Sequence, residues 1–242
     1  YWTFDGKDTN WGTNKTNDVS GQGNTGTMTS MSTTTSPVAG KIGQGFNFDG
    51  VNDRVDAGNI SSTIFSGDFT VSQWVFHDVT TTQLILGKRT SITVNTELFV
   101  RSTDNTYEFR IDQSTGADLI SPNQTALRNV WQHIVVSRTG TTLTMYINAK
   151  SVASVTNSED GSTTGSFIVG DSSTAGSALW DGKIDDVRVY NRALSANEIT
   201  QLYKLGAAKL AVSPVESIKQ GLVGYWTFDG KDTNWGTNKT ND

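Results

Sequence analysis

Apolar and polar residues alternate along most of this chain. Phe69, Val71, Gln73 and Val75 alternate with Thr70, Ser72, Trp74 and Phe76. Tyr107, Phe109 and Ile111 alternate with Glu108, Arg110 and Asp112, and Leu143, Met145 and Ile147 with Thr142, Thr144 and Tyr146. Val187 and Val189 alternate with Asp186 and Arg188, and Leu222, Gly224, Trp226 and Phe228 share one face of a further run. A period of two, bounded by Gly, Asn, Asp or Ser, is the signature of a half-buried strand. Many such runs at close spacing predict two packed antiparallel sheets, an all-β fold. One segment departs from the period. Ser195-Ala196-Asn197-Glu198 reads as a capping box, in which the serine side chain caps the backbone and the glutamate reaches back. It opens a short helix over 195–203, through Ile199, Leu202 and Tyr203, that ends near Gly206.

Residues 1–18 (YWTFDGKDTNWGTNKTND) recur letter for letter as residues 225–242, an offset of 224. A repeat of this length predicts a window onto a longer protein built from tandem units; a segment duplicated in cloning is the alternative origin. Ala207 to Lys219 carries a proline and little alternation. The expected organisation is therefore a domain over 1–204, a linker over 205–220, and the first strand of the next unit over 221–242.

Composition narrows the function. The 242 residues include 24 Gly, 3 Pro and no Cys. Sandwiches of this size are common as one domain and need no disulfides. A chain without cysteine has neither a disulfide framework nor thiolate chemistry. The net charge of −5 argues against nucleic acid, which is bound through a basic surface. No apolar stretch in this window approaches the length of a membrane span.

The residues with most family information come late. Gly182-Lys183-Ile184-Asp185-Asp186-Val187-Arg188-Val189-Tyr190-Asn191-Arg192-Ala193-Leu194-Ser195 forms one block. Upstream stand Gly45-Phe46-Asn47-Phe48-Asp49-Gly50-Val51-Asn52-Asp53, Phe69 to Val75, Trp131 to Val136 and Leu143 to Asn148, and Gly221 to Gly230 opens the second copy. In order and spacing the chain resembles the laminin G-like, concanavalin A-like jelly-roll domains of repeated bacterial surface proteins. The resemblance implies a two-sheet antiparallel jelly-roll sandwich with one short C-terminal helix. At Asn148-Ala149-Lys150 the family usually turns on Gly, so a different turn type is expected there.

Related sandwiches include glycoside hydrolases, which need two carboxylates about 5 to 9 Å apart. Outside the linker the glutamates are Glu97, Glu108, Glu159 and Glu198. Only Glu108 has a partner at suitable strand spacing, Asp112, and the pair reads as a solvated strand face. His133 reads as a hydrogen-bonded core residue and His77 as a strand end; two separated histidines without cysteine give no zinc spacing. No glycine-rich phosphate loop precedes a helix. The chain is expected not to be an enzyme.

An acid on the apolar side of a strand is costly to bury unless neutralised, and calcium neutralises it with carboxylate, amide and backbone oxygens. The resemblance implies a structural calcium tying the first strand to the penultimate one. Asp5 and Asp185 are its first candidate ligands, then Asp18 or Asn17, then Asp186. Asp49 and Asp53 form a rival cluster, and Asx caps on turns are the alternative role for all of these residues. Sugar sites pair flat aromatic rings with amide and carboxylate groups. Trp11, Trp180 and Tyr107 are the candidate stacking residues, with Trp11 and Trp180 in polar loops. Trp2, Trp74 and Trp131 are expected in the core.

The expectation is a non-catalytic structural and adhesive module of a tandem-repeat protein outside the cell or on its surface. Its partners would be neighbouring repeats or copies of itself, assembled head to tail as a filament. A carbohydrate-binding module with glycan ligands is the second reading and a glycoside hydrolase the third.

Overall fold

A computed structural model describes residues 1–78, 81–90, 95–111, 117–171, 179–207, 233–234 and 239–240. Side chains at 89, 95, 233–234 and 239–240 are not described. The chain divides into two units, Tyr1–Ala207 and Ala208–Asp242.

The first unit is a jelly-roll sandwich of two antiparallel sheets with one short helix. Its strands are β1 (Thr9–Asn10), β2 (Lys15–Thr16), β3 (Gly26–Thr29), β4 (Pro37–Ala39), β5 (Gln44–Asp49), β6 (Arg54–Asp56), β7 (Phe69–His77) and β8 (Gln83–Arg89). There follow β9 (Asn95–Arg101), β10 (Thr106–Ile111), β11 (Leu119–Ile120), β12 (Gln132–Thr139), β13 (Thr142–Ile147), β14 (Lys150–Thr156), β15 (Phe167–Val169), β16 (Asp181–Tyr190) and the helix α1 (Ala196–Ala207). One sheet runs β1-β2-β3-β6-β15-β8-β9-β10-β11, the other β14-β13-β12-β7-β16-β5-β4. The two inner faces meet in one core. Phe69, Val71 and Val75 of β7, Ile134 and Val136 of β12, and Leu143 and Met145 of β13 pack against Leu98, Val100, Tyr107, Phe109 and Phe167 of the opposite sheet. In β13 the expected alternation is realised as burial of one face, whereas β7, β12 and most of β10 are buried on both.

The outer face of the seven-stranded sheet is covered by α1. Val135 packs with Leu194, Ile199 and Leu202, and the Trp74 ring stacks on Tyr203 at 5.6 Å between centroids. The capping box forms: Ser195 N–H donates to Glu198 Oε2 at 2.8 Å, and Glu198 N–H donates to Ser195 Oγ at 3.3 Å. The helix runs past the expected stop to Ala207, with Gly206 inside it. A Cβ on Gly206 would lie 2.6 Å from the Trp74 ring, so glycine serves here for close approach, not as the stop.

Three other local readings change. The opening residues do not form an alternating strand. Trp2 makes a single antiparallel bridge to Val187, Phe4 adopts φ +60°, and Trp2, Thr3 and Phe4 are all buried. In β16 the register shifts between Asp185 and Arg188, with Asp186 at φ +58°. This bulge leaves Ile184 and Val187 in the core and puts Asp185 on the other face, opposite Trp74. The β13–β14 hairpin turns on Asn148 (φ 52°) and Ala149 (φ 65°), the two positive φ values of a type I′ turn. The turn type usual for glycine is therefore kept, with alanine taking the strained position.

In the second unit, β17 (Thr233–Asn234) pairs with β18 (Lys239–Thr240). Apart from these four residues and 205–207, the expected linker over 205–220 and the strand expected over 221–242 lie outside the described residues.

Candidate functional site

The N-terminal segment, the 20–24 loop and the end of β16 together build a surface cleft of about 470 Å³. Trp2 forms its floor. Its indole N–H donates to the Asn24 carbonyl at 2.8 Å and its ring stacks on Phe167 at 5.7 Å. Tyr1 and Tyr190 supply aromatic walls; Ser20, Gln22, Asn24, Ser61 and Asn191 supply neutral hydrogen-bonding groups. The Tyr1 ring lies under the Arg188 guanidinium at 4.2 Å, and its hydroxyl bonds to Asp186 Oδ1. Burial pushes the Tyr1 phenol well above its ordinary range, with Asp186 adding to the effect. A second cleft of about 230 Å³ is lined by Phe4, Trp11, Pro37 and Phe46. A third, about 290 Å³, follows α1 between Tyr190, Arg192, Leu202 and Leu205.

Of the aromatic candidates, Trp11 borders the cleft with Phe4, Pro37 and Phe46. It is half-buried, its ring tilted on Phe46 at 5.6 Å. Trp180 and Tyr107 are fully buried and offer no stacking surface. Tyr107 faces inward on β10, where its hydroxyl donates to Gln132 Oε1 at 2.9 Å, and Trp180 packs on His77 at 5.6 Å. For Tyr107 the apolar face it shares with Phe109 and Ile111 already points inward, whereas the polar sequence neighbours of Trp180 conceal a ring that a loop drops into the core. Trp2 and Trp74 are core residues as expected, whereas Trp131 is only half-buried. Tyr190 and the amides of the cleft were missed; the loops that bring them together carry no periodic signal.

The metal candidates separate. Asp185 and Asp5 converge on the short loop before β5. Asp185 Oδ2 accepts from the Lys41 and Ile42 N–H groups at 2.7 and 2.8 Å; Asp5 Oδ1 accepts from Gln44 N–H at 2.8 Å. Asp185 is buried, its Oδ1 has no partner, and burial lifts its carboxyl to about 7, helped by the negative charges of Asp186 and Asp5. Asp186 instead bonds Tyr1 and Arg188, the latter at 2.7 Å. Asp18 closes its own loop, accepting from the Tyr1 amino group at 2.8 Å and from the Ser20 and Asn24 N–H groups at 2.9 and 3.0 Å. Burial alone would raise the Asp18 carboxyl, but these donors hold it below the usual range. Asn17 is exposed. Among the described residues no three carboxylates or imidazoles converge as a metal site. The five side chains thus do not make a calcium shell by themselves; among them Asp185 Oδ1 is a buried oxygen without a partner, as is Asp53 Oδ1 in the rival cluster. In the rival cluster Asp49 caps a turn through the Val51 N–H at 2.9 Å, the Asx role.

The acidic strand face is not solvated. Glu108 is buried on the outer face of the nine-stranded sheet, between Arg101 at 3.0 Å and Arg110. Arg110 also meets Asp118 at 3.5 Å and lies 4.8 Å from the Phe99 ring. Arg101 on the neighbouring β9 and Arg110 two residues along β10 supply the neutralisation that burial requires; its partner in the sequence argument, Asp112, lies outside the described residues. His133 accepts or donates through Nε2 to Ser72 Oγ at 2.8 Å, as a hydrogen-bonded core histidine does.

Comparison with known proteins agrees with this architecture. Domain 4 of AbnA, a GH43 extracellular arabinanase from Geobacillus stearothermophilus solved with arabinotriose, is similar over 84% of this chain and 96% of that chain (TM-score 0.60, 21% identity). The receptor binding domain of botulinum neurotoxin C/D mosaic serotype is similar over 78% of this chain (TM-score 0.59, 14% identity); the alignment spans about half, 48%, of that structure. A Trypanosoma rangeli sialidase matches over 69% of this chain and 28% of its own (TM-score 0.52, 16% identity). At these identities the likeness is one of fold. No curated protein matches the sequence. No described helix is long and apolar enough to cross a membrane. The sequence profile of the concanavalin A-like lectin/glucanases superfamily matches residues 49–200, which carry most of both sheets and the start of α1, and the chain belongs to that superfamily.

Proposed function

We propose that the chain is a non-catalytic binding and adhesive module of a tandem-repeat protein working outside the cell, and that its ligands are glycans. The observation that carries this reading is the cleft between Tyr1 and Tyr190. Its lining combines two aromatic rings with serine hydroxyls and Gln22, Asn24 and Asn191 amides, and includes no carboxylate or imidazole. Sugars present C–H faces that stack on rings and hydroxyls that need paired hydrogen bonds. Acid–base hydrolysis needs two carboxylates across a cleft. The arabinotriose bound to the AbnA domain supports a sugar as the ligand class on this fold. The letter-for-letter repeat of residues 1–18 supports the array, since a stalk uses one unit many times.

The test is calorimetric titration of the full chain with soluble oligosaccharides, arabinotriose among them. Binding is expected to weaken at least tenfold in Tyr190→Ala with the melting temperature little changed. No binding across the panel, or binding indifferent to Tyr190→Ala, would remove the cleft from the proposal. Turnover of any of these sugars would favour the hydrolase reading instead.

A further inference from the structure

Residues 1–18 fill a defined seat in the first unit, and residues 225–242 are a second copy of the same segment. The seat holds its occupant at many points. Trp2 exchanges backbone hydrogen bonds with Val187 at 2.9 and 3.0 Å, and its side chain is buried. Phe4, also buried, stacks on Phe46 at 4.5 Å. The Gln44 side chain accepts from Gly6 N–H at 2.7 Å, and β2 pairs with β3 through Lys15↔Thr27 and Thr16↔Gly26. Phe4 holds its φ of +60° here, a conformation costly for a bulky residue that persists only where the surroundings over-determine it.

Every occupant group has an identical counterpart 224 residues on. Trp226 and Phe228 match Trp2 and Phe4, Asp229 matches Asp5, and Lys239 matches Lys15. The hairpin is matched too. Thr9 pairs with Thr16 and Asn10 with Lys15; Thr233 pairs with Thr240 and Asn234 with Lys239. Among the described residues the copy thus forms the same local hairpin, and in the first unit β3 extends that hairpin into a nine-stranded sheet. A seat that reads side chains and backbone of one sequence cannot distinguish its two copies.

We infer that this seat, formed by β16, β5, β3 and the core ring of Phe167, is a recognition site for residues 225–242 of a second copy of the chain. The incoming segment adds to the existing sheet at β3 and buries two aromatic rings, a mode of strand addition in which the backbone gives affinity and the side-chain pockets give specificity. Because the donor and acceptor surfaces are different patches, the contact is head-to-tail and extends instead of closing on itself. The donor would also contribute Tyr225 and Trp226 to the cleft where Tyr1 and Trp2 stand, so the cleft would be completed by the neighbour. With both copies intact the exchange swaps identical contacts, and it shows when the resident segment is weakened. This inference stands on the repeat and the seat and does not depend on the glycan reading.

The experiment uses the full chain in three forms: Trp2→Ala/Phe4→Ala, Trp226→Ala/Phe228→Ala, and the combination of all four. The second form is expected to melt as the parent does. The first is expected to keep most of its stability and to gain mass with concentration in light scattering. The fourfold variant should lose roughly 20 °C or more, since burial of both rings is then lost from every source. A synthetic peptide of residues 225–242 should restore that loss, and the same peptide with both rings replaced by alanine should not. If the fourfold variant fails to fold, the comparison of the first two forms still decides. Equal losses in the first and fourfold variants, or a peptide without effect, would overturn the inference. A first variant that stays stable and monomeric at every concentration would overturn exchange between copies.

Discussion

Single residues in this domain are held where their ordinary preferences would not put them. Ala149 sits at φ 65° in a two-residue turn, a region that costs an L-residue about 1–2 kcal/mol. Asn148 tolerates its own positive φ better and accepts from His133 N–H at 2.9 Å through its side chain. Ala149→Gly should therefore raise stability, by roughly 0.5 kcal/mol after the larger loss of unfolded-chain entropy. Chemical denaturation checks it; a loss would mean that the Ala149 methyl group's packing beside Val135 outweighs the strain. The two histidines carry a pH expectation. Burial lowers His77 to about 4, with Arg128 adding to the effect, and lowers His133 to about 3, with Arg188 adding. In the unfolded chain both rings titrate near about 6.5. Between these values the unfolded state binds protons that the folded state refuses, so their contribution to stability is intact above about pH 6.5 and falls as the pH drops toward 4. Asp53, raised to about 6 by burial and by the Asp49 charge, works in the opposite direction, as does Asp185. The readout is thus the rings themselves: NMR should show both imidazoles neutral at pH 5, and a midpoint near 6.5 would contradict their burial.

At the scale of elements, a period of two was enough to place β7, β10 and β13, because each has one face in the core and a slip of one residue would expose it. It failed in β16, where the bulge at Asp186 reverses the alternation between Ile184 and Val187. No periodicity argument detects an inserted residue, which is why Asp185 read as an inward acid and is found under the 40–44 loop. The helix was legible at its start and not at its end. Its start is a local hydrogen-bond arrangement of Ser195 and Glu198; Gly206, read as the stop, lies inside α1 against Trp74 from a distant strand. Ser195→Ala should cost about 1 kcal/mol through the lost cap. Thermal melts measure this, and an unchanged melting temperature would show that α1 is held by its packing on Val135 and Trp74 alone.

Across the whole molecule, the candidate sites depend on segments far apart in sequence. A calcium ion held by Asp5 and Asp185 would join the N-terminal segment, the 40–44 loop and β16, with main-chain carbonyls completing its shell. On that proposal a chelator should lower the melting temperature and added calcium raise it, because an ion bound by the folded state alone stabilises it by mass action. A melting temperature indifferent to both would leave the Lys41, Ile42 and Gln44 N–H groups as the sole neutralisation of these acids. The sequence alone determined the sheet class, the helix start, the repeat and the family resemblance. These follow from local hydrogen bonding, a period of two, and identity of letters. Tertiary structure alone decided that Trp180 is interior, that Glu108 is buried between arginines, and that Tyr1 and Tyr190 face one cleft. Each of these depends on which strands become neighbours and where a loop redirects a side chain, and Trp180 with His77, like Tyr1 with Tyr190, comes together from segments far apart in sequence.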